Sequence, residues 1–354
     1  MLSEENVLKA LSNVDDPDLK KDLVTLGMIK NLKINGKQVF FQVQLTTPAC
    51  PMKDFIRNAC VTAIKHLVDS TAEVNIEMTA EVTNGKSLVE NNHQIKNMIA
   101  VASGKGGVGK STVAANLALS LSKAGAKVGL LDADIYGPSM PTMFGLNDET
   151  PEMTTIDGKE KILPLEKYGL KLMSIGFLIQ TGQAVVWRGP MISAALRQLL
   201  NDVLWGDLDY LIIDMPPGTG DIHLTLCQNF PLTAALLVTT PQKVALDDAQ
   251  KGAAMFRIPA INIPLLGVVE NMSWFTPLEF PDLKYFIFGS GGGQKLADEF
   301  GIELLAQLPL STSVSEGADA GTPAVIGGNK PMEEAFKFMA ETVAQKLAIL
   351  NAAK

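Results

Sequence analysis

The chain has 354 residues, of which 47% are hydrophobic and 19% charged, enough for one large domain and a small one. Its formal net charge of -8 argues against sequence-independent binding to nucleic acid, which requires a basic surface. The cysteines, Cys50, Cys60 and Cys227, lie far apart and argue against a disulfide framework. Apolar stretches fall short of the roughly 18–20 residues that span a bilayer, and the acidic first residues are unlike a signal peptide. We therefore expect a cytoplasmic protein without nucleic-acid or membrane partners.

Residues 1–82 are predicted to form a small α+β domain. Asn35-Gly36 is a turn signal between two strand-like segments, and the helical segment that follows them repeats apolar residues at the spacing of one buried face. The expected elements are helix Glu4–Leu11, strands Ile29–Ile34 and Val39–Leu45, helix Lys53–Val68 and strand Val74–Met78. Residues 83–94 are mostly polar and are predicted to be a linker.

Residues 95–354 are predicted to form an α/β domain with a mostly parallel sheet. Short apolar runs alternate with longer helical stretches, which is the pattern of a parallel sheet covered by helices on both faces. The expected strands are Met98–Ala102, Val128–Asp132, Leu211–Asp214, Ala234–Thr239 and Leu265–Glu270, and the expected closing helix is Glu333–Leu350.

A phosphate-binding loop pattern lies between the first of these strands and a predicted helix, the context that such a P-loop requires. Glycines let the backbone turn tightly and bring N–H groups onto phosphate oxygens, and the helix N-terminus adds positive potential. Lys110 is predicted to reach the β- and γ-phosphates of ATP, and the Ser111 hydroxyl to bind magnesium. The expected nucleotide-binding residues of this loop are Gly104, Lys105, Gly106, Gly107, Val108, Gly109, Lys110, Ser111 and Thr112.

Acidic residues follow two of the predicted strands. Asp132 and Asp134 end one strand and Asp214 ends another, at the edge where open α/β sheets bind ligands. Asp214 is predicted to hold magnesium through water. The run after it, Pro-Pro-Gly-Thr-Gly-Asp, fits a switch loop in which Gly218 turns its N–H toward a γ-phosphate.

Lys105 is a second lysine near the start of the loop, and this variant resembles the deviant Walker A class, which includes ParA/MinD proteins, arsenite-pump ATPases and the nitrogenase iron protein. The resemblance implies that Lys105 reaches across a homodimer to the partner's nucleotide, in a role similar to an arginine finger. It also implies that Asp134 orients the attacking water, that Asp132 lies near the magnesium shell and that Asn271 contacts adenine. The expected catalytic residues are therefore Lys105, Lys110 and Asp134.

Further motifs resemble one subfamily, the Mrp-type (ApbC-like) iron–sulfur cluster carrier ATPases. In the large domain they are Asp134-Ile135-Tyr136-Gly137-Pro138-Ser139, Trp187-Arg188-Gly189-Pro190, Pro216-Pro217-Gly218-Thr219-Gly220-Asp221 and Val269-Glu270-Asn271-Met272-Ser273. In the front domain, Asp16-Pro17, Leu26-Gly27-Met28 and residues 45–51 resemble PaaD/SufT-type metal–sulfur assembly factors. The resemblance implies slow ATP hydrolysis with Mg²⁺, a homodimer, and transfer of iron–sulfur clusters to apo-proteins in concert with assembly machinery.

The chain departs from the pattern of these carriers at the residues that usually bind the cluster. Such carriers usually have a Cys-x-x-Cys pair after Asn-Met-Ser, whereas residues 274–285 contain no cysteine. Glu279 and Asp282 keep a similar spacing, but carboxylates suit a cluster poorly and both are expected to face solvent. Cys60 and Cys227 are expected to be buried on helices. Cys50, at a predicted strand–helix junction where the helix dipole favours a thiolate, is the remaining possible cluster ligand, with small-residue packing as its alternative role.

Two other functions are compatible with these motifs. A cluster-free ATP-dependent dimer switch acting on a protein partner would explain the missing Cys-x-x-Cys pair. A positioning ATPase of the ParA/MinD kind would act on DNA or membrane, but the acidic chain and its last helix, with Glu333, Glu334 and Glu341, are unlike a basic membrane anchor.

Overall fold

The structure, a computed structural model, describes residues 2–85, 88–90, 93–179, 189–277, 279–280 and 282–353. Two units separate within the chain: Met1–Thr83 together with Ala344–Lys354, and Asn84–Val343. Trp187 and Arg188 of the Trp-Arg-Gly-Pro motif lie outside the described residues. In the described part of the chain, no helix combines the length and apolar character that a membrane span requires.

The first unit is an α+β domain. Its elements are α1 (Glu4–Leu11), β1 (Asp15–Asp16), β2 (Lys21–Asp22), β3 (Ile29–Asn35), β4 (Gln38–Leu45), α2 (Lys53–Leu67) and β5 (Glu73–Ala80). Strands β3 and β4 form an antiparallel hairpin, and β5 pairs with β4 in parallel after the α2 crossover. The hairpin loop is Gly36–Lys37, one residue later than the Asn35-Gly36 signal, because Asn35 pairs with Gln38.

Alternating side chains build the core of this unit. In β4 the buried residues Val39, Phe41, Val43 and Leu45 alternate with residues that are exposed or half-buried, the period of two expected for a sheet with one covered face. On α2 the residues that face this sheet, Ile56, Cys60 and Ile64, repeat every four positions and are all fully buried.

The second unit is built around a nine-stranded sheet. The strands of the unit, which include a separate hairpin of β9 and β10, are β6 (Leu88–Glu90), β7 (His93–Ser103), β8 (Val128–Asp132), β9 (Met153–Ile156), β10 (Lys159–Ile162), β11 (Leu165–Lys167), β12 (Leu170–Ser174), β13 (Leu208–Asp214), β14 (Ala234–Thr239), β15 (Leu265–Glu270) and β16 (Glu303–Gln307). Its helices are α3 (Lys110–Lys123), α4 (Met140–Met143), α5 (Gly189–Asn201), α6 (Asp221–Asn229), α7 (Lys243–Phe256), α8 (Gly292–Phe300), α9 (Thr312–Asp319) and α10 (Lys330–Ala352), the last of which continues into the first unit.

Seven strands of the sheet are parallel, in the order β12-β8-β13-β7-β14-β15-β16. Strands β11 and β6 add antiparallel pairs with β12 and β7, whereas β9 and β10 form a separate hairpin. The register places Asp214 opposite Asp132 on one side and Val101 on the other, so the carboxyl ends of three central strands meet at one edge. The predicted mostly parallel α/β fold with a small α+β domain is confirmed.

Two regions differ from the expectation. Part of the stretch expected as a linker is β-structure, because β6 pairs with residues 93–95 of β7. The hairpins β9–β10 and β11–β12 were not expected, although each turns on a two-residue loop with positive φ at both positions, Asp157-Gly158 and Tyr168-Gly169. Asp-Gly is a strong hairpin signal, so at least the first of them was open to prediction.

Replacing Ile64 by alanine is expected to lower the free energy of unfolding of the first unit by about 2–5 kcal/mol, because this fully buried side chain leaves a cavity in the core. Leu67→Ala, three residues along the same helix but 61% exposed, is the control and is expected to cost under about 0.5 kcal/mol. Native-state hydrogen exchange of the α2 amides measures both losses. Equal losses would contradict the core assigned to this unit.

Candidate functional site

The P-loop connects β7 to α3 at the carboxyl edge of the sheet, and two of its glycines are required by close approach. A Cβ atom on Gly104 would lie 2.1–2.4 Å from the backbone of Asp248 and Ala249 in α7. One on Gly109, whose φ is +81°, would lie 2.2 Å from the amide nitrogen of Asn271. Gly106 and Gly107 have open space around them instead, so a ligand can approach the loop backbone there.

A buried ion pair lies under the loop. The Lys110 ammonium is 2.6 Å from Oδ1 of Asp214, and the two side chains are 6% and 0% exposed. The same ammonium is 3.3 Å from the Ser111 hydroxyl. Burial raises the pKa of Asp214, and the charge of Lys110 opposes that rise. The ion pair joins the end of β13 to the start of α3, so each charge stabilises the other inside the protein.

The second carboxylate oxygen of Asp214 is buried and has no hydrogen-bond partner of normal geometry in the described structure, although the Ser111 hydroxyl lies near enough to lower the pKa of this carboxyl. An orphaned carboxylate oxygen beside a serine hydroxyl suits a hard cation. Among the described residues, no three His, Cys, Asp or Glu side chains form a ready-made metal cage. This donor set fits Mg²⁺, which is usually held by one or two protein oxygens together with phosphates and water.

Asp132 is fully buried beside Asp214, and its carboxylate holds the loop that follows β8. Burial, followed by the negative charge of Asp214, raises the pKa of Asp132 to about 7. The carboxylate accepts hydrogen bonds from the Ser174 hydroxyl at 3.0 Å and from three backbone N–H groups, those of Asp134, Ser139 and Met140, at 3.0–3.2 Å. In this arrangement both oxygens face protein donors, and proximity to magnesium stays a prediction.

Asp134 lies at the entrance of the same loop. Its carboxylate accepts a hydrogen bond from the Gly137 N–H at 3.3 Å, and the residue is 8% exposed. It is close enough to Asp214 for its charge to raise the pKa of that carboxyl. The structure therefore brings Asp132 and Asp134 close to the Lys110–Asp214 ion pair, at one edge of the sheet.

The expected switch loop, which follows β13, is tied to β7 and to α6 by hydrogen bonds. The Gly218 N–H, at φ +98°, donates to the Ser103 carbonyl at 3.0 Å. Nε2 of His223, a buried side chain on α6, is 2.7 Å from the Pro216 carbonyl, and burial lowers the pKa of this imidazole. In this structure the amide expected to face a γ-phosphate thus serves a backbone carbonyl.

Asn271 completes the site from the end of β15. Its amide nitrogen donates to the carbonyl of Val108 in the P-loop at 2.9 Å. Lys105 is half-buried, and no described acidic residue forms an ion pair with it. Sequence reasoning missed Ser174, whose partner Asp132 lies 42 positions away, and His223, whose ring contacts the Pro216 carbonyl of the switch loop, because nothing local to a lone serine or histidine reveals its partner.

The cysteines do not join this site. Cys60 and Cys227 are buried in helices, as expected, and burial raises the pKa of each thiol to about 12. Cys50 is half-buried in the first unit, between β4 and α2, and packs against the core of that unit. Glu279 and Asp282 are exposed, as expected from their sequence context.

Comparison with protein families gives two matches. Residues 94–344 match a ParA model described as NUBPL iron-transfer P-loop NTPase. Residues 4–78 match a model described as iron–sulfur cluster assembly protein. Both matches agree with the resemblance to Mrp-type carriers with a PaaD/SufT-like front domain, which is thereby confirmed.

Individual proteins show the same similarity over at least 92% of this chain. The chain is 47% identical over 352 residues to the iron–sulfur cluster carrier protein of Synechocystis sp., which covers 99% of each chain. It is 43% identical over 351 residues to that of Escherichia coli, and 47% identical over 329 residues to a chloroplastic Fe–S cluster assembly factor of Arabidopsis thaliana, covering 60% of the latter.

One solved structure carries this similarity into three dimensions. A nucleotide-binding protein from Archaeoglobus fulgidus in complex with ADP superposes with a TM-score of 0.57 at 37% identity, covering 67% of this chain and 90% of that one. Motifs, sheet order, family models and relatives therefore agree that the chain belongs to the family of iron-transfer P-loop NTPases.

Proposed function

We propose that this chain is a Mg²⁺-dependent ATPase that works as a homodimer and carries iron–sulfur clusters to apo-proteins. The observation that carries the ATPase part is the buried Lys110–Asp214 ion pair under the P-loop, with one oxygen of Asp214 left without a partner. When ATP binds, its phosphates would replace Asp214 as the negative partner of Lys110. A cation would then replace Lys110 as the positive partner of Asp214.

Each residue then has a distinct task. Lys110 would bind the β- and γ-phosphates, while the Ser111 hydroxyl and Asp214 would hold Mg²⁺, which when bound would supply positive charge against the phosphates. Asp134, at the entrance of the acidic cluster, orients the attacking water. The Gly218 N–H leaves the Ser103 carbonyl for the γ-phosphate, a change that makes the switch loop respond to hydrolysis.

Lys105 is the residue proposed to need a second subunit. It is a half-buried residue of the P-loop, and none of the ion pairs among the described residues includes it. A lysine supplied across the dimer to the partner's nucleotide stabilises transition-state charge as an arginine finger does. Hydrolysis and dimer formation would then be coupled.

The cluster is cargo, and the carrier function rests on the relatives named iron–sulfur cluster carriers. Cys60 and Cys227 are poor ligands because a buried thiol with a pKa of about 12 rarely becomes a thiolate. Cys50 is the remaining thiol. Two subunits would supply two thiolates to the cluster, and a small thiol or the client protein would fill its other coordination positions. Such a weakly held cluster suits transient transfer.

A cluster-free dimer switch acting on a protein partner is the second possibility. The specific observation in its favour is that residues 274–285 contain no cysteine, so two subunits cannot bridge a cluster there through thiolates. The two proposals share the ATP site and differ only in the cargo.

Lys110→Ala is expected to weaken ATP binding by about 100-fold or more, because it removes the buried cation and leaves Asp214 unpaired. Lys105→Ala is the matched control, since it removes a lysine of the same loop and is expected to bind ATP as tightly as the wild type. Calorimetric titration with ATP and Mg²⁺ measures both affinities. Equal affinity in wild type and Lys110→Ala would refute the phosphate-site assignment.

Lys105→Ala is also expected to hydrolyse ATP at least 100-fold more slowly, since removal of an arginine-finger-type cation costs about 10³–10⁵ in rate. Light scattering with ATP, carried out in the slow Asp134→Ala background, should detect a dimer that Lys105→Ala/Asp134→Ala fails to form. A wild-type hydrolysis rate in Lys105→Ala would mean that this lysine is only a surface charge.

Cys50→Ser is expected to lose cluster uptake, whereas Cys60→Ala, which removes a buried thiol from the same unit, is expected to retain it. The measurement is anaerobic reconstitution with iron and sulfide, followed by visible absorption and iron counting. A stoichiometric cluster in Cys50→Ser would place the ligands elsewhere. Failure of every variant and of the wild type to take up iron would favour the cluster-free switch.

A further inference from the structure

Glu270 is a buried carboxylate that the proposed ATPase cycle does not use. It ends β15, is 0% exposed, and accepts three hydrogen bonds from three separate segments. Oε1 accepts from the Ser273 hydroxyl at 2.9 Å and from the Gln307 amide at 2.7 Å, and Oε2 accepts from the Gly293 N–H at 2.6 Å. No described lysine or arginine forms an ion pair with it, so neutral donors and the N-terminus of α8 stabilise its charge.

The chain next to it is built to leave room for this carboxylate. A Cβ on Gly293 would lie 2.9 Å from the Cβ of Glu270 and 3.0 Å from its Oε2, so only glycine fits at that position. One side chain thereby links the end of β15, the end of β16 and the start of α8. These hydrogen bonds hold the short turn formed by residues 270–273 in one conformation.

That turn is held on both sides and strained in the middle. The Asn271 N–H donates to the Thr239 carbonyl at 2.8 Å, and the Ser273 N–H donates to the Leu308 carbonyl at 2.9 Å. Met272 between them has φ +56°, a backbone conformation that residues other than glycine rarely adopt. The Ser273 hydroxyl, bound to Glu270, closes the turn and sets the direction in which Asn271 projects.

The Asn271 amide therefore has a defined orientation. The Val108 carbonyl can only accept, so the nitrogen of the amide faces it at 2.9 Å. Within the described structure Oδ1 of Asn271 accepts no hydrogen bond, which leaves an acceptor and the second N–H of the amide beside the P-loop. This pair matches the 6-amino group and N7 of adenine, whereas guanine presents an acceptor at position 6.

We infer that Glu270 is a positioning residue for nucleobase recognition: it fixes the 270–273 turn so that the Asn271 amide distinguishes adenine from guanine. This inference rests on the proposed ATP site and on the proposed contact of Asn271 with adenine. Glu270 does not touch the nucleotide. Substitution of Glu270 is therefore expected to change the affinity for the base and to leave the affinity for the phosphates unchanged. A purely structural residue would alter both affinities.

The experiment compares dissociation constants of ADP and GDP, which differ only in the base, by calorimetry on the full chain. Asn271→Ala is expected to reduce the preference for ADP over GDP about tenfold. Glu270→Gln is expected to reduce this preference about threefold, because the NH₂ group of the new glutamine would face one of the three groups that donate hydrogen bonds to Glu270. Ser273→Ala, a milder change that removes one of the donors, is expected to act in the same direction and decides the outcome should Glu270→Gln fail to fold. Glu299→Gln, the same chemical change at an exposed position of α8, is the control and is expected to leave the preference unchanged.

Two further measurements separate the possible outcomes. Inorganic triphosphate, used as a competitor of ADP, is expected to bind Glu270→Gln and wild type equally, and a parallel loss of triphosphate affinity would overturn the positioning role. The double variant Glu270→Gln/Asn271→Ala is expected to discriminate no worse than Asn271→Ala alone. An unchanged ADP preference in Glu270→Gln, with a reduced one in Asn271→Ala, would refute the inference and leave the adenine contact standing. An unchanged preference in Asn271→Ala would refute both.

Discussion

The buried Lys110–Asp214 ion pair is the interaction on which the rest of the site depends. Two opposite charges inside a sheet-and-helix core are tolerated only because they lie 2.6 Å apart, and removing either one leaves the other uncompensated. The pair joins the P-loop to the neighbouring strand β13. Any ligand that separates the two charges must replace both, one with an anion and one with a cation. A nucleoside triphosphate with its magnesium ion meets that double requirement, and a phosphate alone does not.

The register of the sheet explains why the acidic residues collect there. Strands β8, β13 and β7 run in parallel; β8 and β13 end opposite one another at Asp132 and Asp214, and β7 continues two residues further into the P-loop, so these segments meet at one edge of the sheet. Burial, followed by the negative charge of Asp214, raises the pKa of Asp132, and that carboxyl accepts hydrogen bonds from three N–H groups of the loop after β8 and from the Ser174 hydroxyl at the end of β12. Asp132 is thus occupied by protein donors, whereas one oxygen of Asp214 has no hydrogen-bond partner in the described structure.

Much of the fold could be predicted from local pattern. Strands Val128–Asp132, Ala234–Thr239 and Leu265–Glu270 and helix Glu4–Leu11 have the expected bounds, because continuous apolar runs and clear end signals specify them. The hairpins between residues 153 and 174 were missed, since their strands are short and partly polar. The partners of Asp132, His223 and Glu270 could not be predicted either. A sequence shows which residues are polar, but the register that brings Ser174 to Asp132 or Gln307 to Glu270 exists only in the folded chain.

The burial of Cys60 and Cys227 has a consequence for the redox chemistry of the chain. Burial raises the pKa of each of these thiols to about 12, so each stays protonated near pH 7, and oxidants and alkylating reagents attack the ionised form. Among the cysteines, reagents that attack the thiolate are therefore expected to modify Cys50 first, and this residue lies outside the nucleotide-binding unit. A fluorescent label attached through thiol chemistry is therefore expected to report on the front domain.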